Sequence, residues 1–82
     1  MKIFILAEAV ADFGNTKLRH HCEVFRTRKE AAARLQEVYF QLTDGAMPED
    51  GITSDYCPGQ RATIVEHDVD FVTDLVIYEK EV

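Results

Sequence analysis

The sequence predicts an α+β fold: a four-stranded antiparallel sheet with one helix packed across one face, in the order β-β-α-β-β. Three observations predict this fold. A capped amphipathic helix lies near the middle of the chain, a hairpin pattern precedes it, and two strand-like segments follow it. The 82 residues are enough for one domain, which we expect to span residues 1–82.

The helix is predicted over residues 28–43. The segment 27–30 reads Thr-Arg-Lys-Glu and matches the capping box, in which the Thr27 hydroxyl accepts from the Glu30 backbone N–H and the Glu30 carboxylate reaches back to the Thr27 N–H. Gly45 is a plausible stop signal. We expect Leu35 and Val38 to lie in the core. They belong to a set of apolar residues that recur at helical spacing: Ala31, Leu35, Val38, Tyr39 and Leu42.

Two strands are predicted before the helix, at about 2–12 and 18–25, and the turn signal at 14–15, Gly-Asn, makes them a hairpin. Two more are predicted after it, at about 61–66 and 71–79, and the latter is rich in β-branched and aromatic residues. Between them, residues 44–60 are rich in Asp, Glu, Gly and Pro and predict a long loop.

The composition narrows the class of protein. An apolar fraction of 46% is typical of a globular protein. No apolar run approaches the roughly 18 residues that a membrane helix needs. Two cysteines are too few for a disulfide scaffold, so we expect reduced thiols and a cytoplasmic location.

The net charge of −6 is unevenly distributed along the chain. Residues 1–43 carry seven basic and five acidic side chains, whereas residues 44–82 carry two and ten. Nucleic-acid binding needs clustered cations, so nucleic acid is not expected as a general partner. The acidic C-terminal half is instead a candidate surface for a protein partner.

Three residues form a candidate metal site: His20, Cys22 and Cys57. His20 and Cys22 share a strand face because side chains alternate along a strand, but the spacing is not that of usual zinc motifs. Cys22 is expected to be buried and inert, which leaves Cys57 as the better nucleophile. Motifs typical of phosphate loops, serine hydrolases or metalloproteases are absent, so neither catalysis nor a cofactor is expected.

A candidate anion site lies at the start of the helix, where Arg26, Arg28 and Lys29 crowd backbone N–H groups that already attract anions. A phosphate or a carboxylate from another chain would suit this cluster. The interpretation we favour is that the tail acids Glu79 and Glu81, or the acidic loop, neutralise it.

The first and last strands are apolar on both faces, yet one helix can cover only one. A second copy of the chain is the expected cover, because most soluble oligomers are symmetric homodimers. The alternative cover is the long loop, through Met47, Ile52 and Tyr56. The sequence leaves two sets of the last strand open as the interface: Val72, Val76 and Tyr78, or Phe71, Leu75 and Ile77.

These observations predict a small non-enzymatic binding or regulatory module that acts through a protein partner as a homodimer. The alternative is a protein that binds a metal or a small ligand through His20, Cys22 and Cys57. The third hypothesis is an anion or nucleic-acid contact at the helix N-terminus.

Overall fold

The computed structural model describes residues 1–43, 52–67 and 70–82, which contain one helix and five strands. Every strand pair is antiparallel, and the sheet order is β2-β1-β5-β4-β3. The α+β class, the helix and the antiparallel sheet are therefore confirmed. The elements are β1 (Lys2–Asp12), β2 (Lys17–Phe25), α1 (Arg28–Thr43), β3 (Ile52–Cys57), β4 (Arg61–Glu66) and β5 (Phe71–Glu81).

The number of strands is the main correction, because the predicted loop 44–60 contains strand β3. Pro58 and Gly59 form a tight turn between β3 and β4, closed by a 3.0 Å hydrogen bond from the Gln60 N–H to the Cys57 carbonyl. Gly59 has φ +74°, a value that favours glycine. Ser54 and Asp55 are typical loop residues, which led the sequence to predict a loop here. An edge strand can accommodate them. Residues 44–51 of that loop, with the Gly45 stop, lie outside the described residues.

The helix start agrees with the predicted cap in its main contact. The Glu30 N–H donates to the Thr27 hydroxyl at 3.1 Å, and the Ala31 N–H donates to the Thr27 carbonyl at 3.2 Å. The second half of the capping box differs, because the Thr27 hydroxyl itself donates to the Glu30 carboxylate at 3.1 Å. At the other end, the Thr43 hydroxyl donates to the Tyr39 carbonyl at 2.8 Å.

The core lies between the helix and one face of the sheet. Leu35 and Val38 are buried as predicted, and Ala31 is buried with them, whereas Leu42 is 39% exposed. Burying one large apolar side chain stabilises the fold by roughly 1.5–3 kcal/mol. The buried cluster comprises Phe4, Leu6, Ala31, Leu35, Val38, Ala62, Leu75 and Ile77.

A polar contact fastens the helix to edge strand β2. The Arg34 side chain donates from Nε to Glu23 at 3.2 Å and from a terminal nitrogen to Glu37 at 2.8 Å. The hydrogen bond to Glu23 and the charge of Glu23 raise the pKa of Arg34. His21 lies 3.5 Å from the same Glu23 oxygen. Glu23 therefore holds the helix residue Arg34 against strand β2.

Candidate functional site

The candidate site is the sheet face opposite the helix, here called the open face. No helix or strand of residues 1–43, 52–67 and 70–82 packs against it. Its side chains follow from the strand register, because directly paired residues point to the same side of a sheet.

Strand β5 resolves the choice between the two predicted interface sets. Leu75 is fully buried and Ile77 is 8% exposed, since both pack under the helix. Phe71 shares their side of the sheet. The outward set is therefore Val72, Val76 and Tyr78, in which Tyr78 is 55% exposed.

Strand β1 presents three alanines in succession to the open face, at Ala7, Ala9 and Ala11. We call this column the alanine groove, because the side chains of the neighbouring strands β2 and β5 stand higher on both sides. Ala7 and Ala9 line a depression of about 470 Å³, bordered by residues such as His20 and Tyr78. Because alanine side chains are shorter than their neighbours, the open face is uneven in height as well as apolar.

Two further apolar side chains are strongly exposed along edge strand β2. Leu18 and Val24 are each 62% exposed and point to the same side as the alanines. Monomeric proteins rarely expose a continuous apolar patch larger than a few hundred Å². The open face therefore has the composition of an interaction surface.

The charged residues of the open face balance one another. Among the described strand residues, Arg61 and Lys80 are the cations of this face and Asp55 and Asp74 are its anions, so their formal charges sum to zero. The whole chain carries −6. Thr63 donates to the Asp74 carboxylate at 2.9 Å, which fixes one of these acids in place.

The candidate metal ligands are not brought together. His20 and Cys22 share the open face of β2, as predicted, but Cys57 lies on β3 at the opposite edge. Four inter-strand spacings of about 4.8 Å separate those edges by about 19 Å. Among the residues that the structure describes, no group of three His, Cys, Asp or Glu side chains could hold a metal ion.

Cys22 also corrects an expectation about burial. It is exposed rather than buried, because β2 is an edge strand and its outward side has no cover in the described part of the chain. Cys57 is half-buried. The inertness expected of Cys22 from burial is therefore not supported.

The three candidate anion residues have different surroundings in the structure. Arg28 donates to the Gly59 carbonyl at 3.1 Å, lies 3.8 Å from Glu79 and sits 5.3 Å from the centre of the Phe4 ring. With Arg61 it lines a cleft of about 590 Å³.

Arg26 and Lys29 are exposed and do not line this cleft. Glu79 stands beside Arg28 as the favoured interpretation expected, whereas Glu81 pairs with the N-terminal ammonium at 3.2 Å. The Arg28 guanidinium thus already has protein partners, which weakens the case for an external anion there.

Two of the three loop residues predicted as an alternative cover for the open face lie elsewhere in the structure. Ile52 and Tyr56 belong to β3 and point to the helix side, where Tyr56 stacks on Tyr39 with ring centres 4.4 Å apart. These two residues therefore do not cover the open face. Met47, the third residue of that alternative, lies outside the described residues.

Comparisons with known proteins add no functional assignment: no family model, no curated protein and no solved structure matches the chain. No helix in the described residues has the length and apolar character needed to cross a membrane. The sequence reasoning missed the alanine groove, although alanine at positions 7, 9 and 11 was a visible signal. The charge balance depends on strand order, so sequence alone could not have found it.

Proposed function

We propose that the protein is a small non-enzymatic binding module that acts as a homodimer, with the open faces of two copies packed together. The observation that carries this proposal is an apolar face without cover in the described residues. Val72, Val76 and Tyr78 lie beside the alanine groove on that face, and Leu18 and Val24 extend the apolar area to the sheet edge.

The dimensions support a stable association. The Cα positions extend over 43 × 26 Å along their two longer axes, while the shortest axis measures 14 Å. A face of that size offers on the order of 1,000 Å², and each partner in a standard protein interface buries about 800 Å². The open face is therefore large enough for a specific dimer.

The charge distribution favours a second copy over a basic partner. A basic protein would be attracted to an acidic surface, but the open face is neutral. Two chains that each carry −6 can approach through neutral faces without placing like charges directly opposite one another. The excess of acidic groups then lies away from the contact.

The acidic half of the chain does not form a single binding surface among the described residues. Asp55 and Asp74 point to the open face, whereas Glu66 and Glu79 point to the helix side. Glu79 is also paired with Lys2 at 3.7 Å. We therefore infer that the first protein partner is another copy, and that any regulatory contact is made by the assembled dimer.

Sedimentation equilibrium tests the proposal directly. The wild-type protein should show twice the chain mass of 9.4 kDa at tens of micromolar. Tyr78→Asp places a charge on the open face and should leave a folded monomer. Phe40→Asp is the matched control, because Phe40 is 52% exposed on the helix, and it should remain a dimer. A wild-type mass of one chain, independent of concentration, would contradict the proposal.

A further inference from the structure

We infer that Ala7 and Ala11 in the alanine groove of each copy receive Val76 and Val72 of the other copy. This inference rests on the proposed homodimer and specifies its contact. The outward β5 side chains Val72 and Val76 are here called the β5 ridge, whereas Tyr78 is paired with Ile5 and lies beyond the alanines. Groove and ridge occupy neighbouring strands of the same face, so one copy carries both halves of the contact.

The shapes of the two columns support this arrangement. Two facing sheets pack about 10 Å apart, and their inner side chains interdigitate. Alanine projects one carbon beyond the backbone, so three alanines in a column leave room for taller side chains opposite. Ala7 and Ala9 already line a depression in the isolated chain.

Two-fold symmetry then completes the contact. In an isologous dimer the same patch is used twice, so a two-fold axis parallel to the strands and above the β1–β5 boundary places each groove over a ridge. Rotation about this axis leaves the position of each residue along the strand direction unchanged. Ala7 pairs with Val76 within the sheet, and Ala11 pairs with Val72. Ala7 of one copy therefore faces Val76 of the other, and Ala11 faces Val72.

The charges disfavour one competing arrangement, in which the axis lies above β5. An axis above the middle of β5 would set Asp74 directly against Asp74 of the second copy, and like charges in that position oppose association. With the axis above the β1–β5 boundary, Asp74 faces Ala9 instead. The same axis places His20 near Thr63 of the second copy, so no two like charges are opposed.

A volume swap tests the contact. Ala7→Val overfills the groove and Val76→Ala lowers the ridge, and each change alone should weaken the dimer about tenfold. The double variant, with valine at position 7 and alanine at position 76, should recover to within about threefold of wild type, since total volume is conserved. The pair Ala11→Val and Val72→Ala repeats the test at a second level.

Controls separate this inference from the dimer itself. Ala33→Val makes the same volume change on the exposed side of the helix and should leave the dimer constant unchanged. Thermal unfolding verifies that each variant is folded. A wild-type dimer whose constant is unaffected by Ala7→Val, or a double variant weaker than both single ones, overturns the groove contact alone. A monomeric wild type overturns the homodimer and this inference together.

Discussion

The two faces of the sheet are built from alternate residues of the same strands, yet they differ in how those residues are used. On β5, Leu75 and Ile77 are buried under the helix, while the next residue, Tyr78, is 55% exposed. On β1, the helix side carries the buried Phe4 and Leu6, whereas the open face carries Ile3 and Ile5 followed by the three alanines. Apolar character alone does not separate a folding core from an association surface, because both faces carry large apolar side chains and only the cover provided by the helix differs.

The most direct test of the difference between the two faces is to introduce the same charge at neighbouring residues of β5. Leu75→Asp should unfold the protein, because a buried, unpaired carboxylate costs several kcal/mol and a small domain is stable by only about 5–15 kcal/mol. Val76→Asp points to the open face and should give a folded monomer. Circular dichroism and sedimentation equilibrium together measure both outcomes. Equal unfolding by both variants would show that the two faces do not differ.

A truncation on the helix side should have the next largest effect. Leu35 is fully buried, so Leu35→Ala should cost about 2–5 kcal/mol in the free energy of unfolding. Val24→Ala is the control on the open face, where the side chain is 62% exposed, and it should change monomer stability by less than about 0.5 kcal/mol. Urea titration at low protein concentration separates stability from association. A Leu35→Ala midpoint equal to wild type would mean that the helix packs through another side.

The sequence predicted the helix side better than the open side, for a physical reason. Helical spacing and a capping residue are local signals, so Leu35, Val38 and the Thr27 cap could be predicted correctly. Strand β3 has no comparable local signal, because its inward side chains contact the core only at Tyr56. The turn at Pro58 and Gly59 was its best marker.

The sequence predicted that one face of the sheet needs a cover, but it did not show which residues form that face. Both alternating sets of the last strand are apolar, so only the packed helix distinguishes Leu75 from Val76. The exposure of Cys22 depends on β2 being an edge strand, and sheet order is a non-local property. The separation of Cys22 from Cys57 has the same origin.

The helix cap provides a smaller test of the helix side. Thr27→Ala removes the hydroxyl that accepts from the Glu30 N–H and should cost about 0.5–2 kcal/mol in the free energy of unfolding. Thr27→Ser keeps the acceptor and should lie close to wild type. Thermal denaturation at low protein concentration measures both. If Thr27→Ala and Thr27→Ser unfold at the wild-type temperature, the cap contributes nothing to the covered face.

The smallest expected effect is at the polar border of the covered face. Glu23→Gln removes the charge that lies 3.2 Å from Arg34 and 3.5 Å from His21. Glu23 and Arg34 are each about one-third exposed, and Arg34 keeps its 2.8 Å contact with Glu37. The loss should therefore be less than about 1 kcal/mol, and it should shrink further at high salt. Urea midpoints at low and high salt measure it. A loss as large as that of Leu35→Ala would show that the covered face depends on its polar border as much as on its apolar centre.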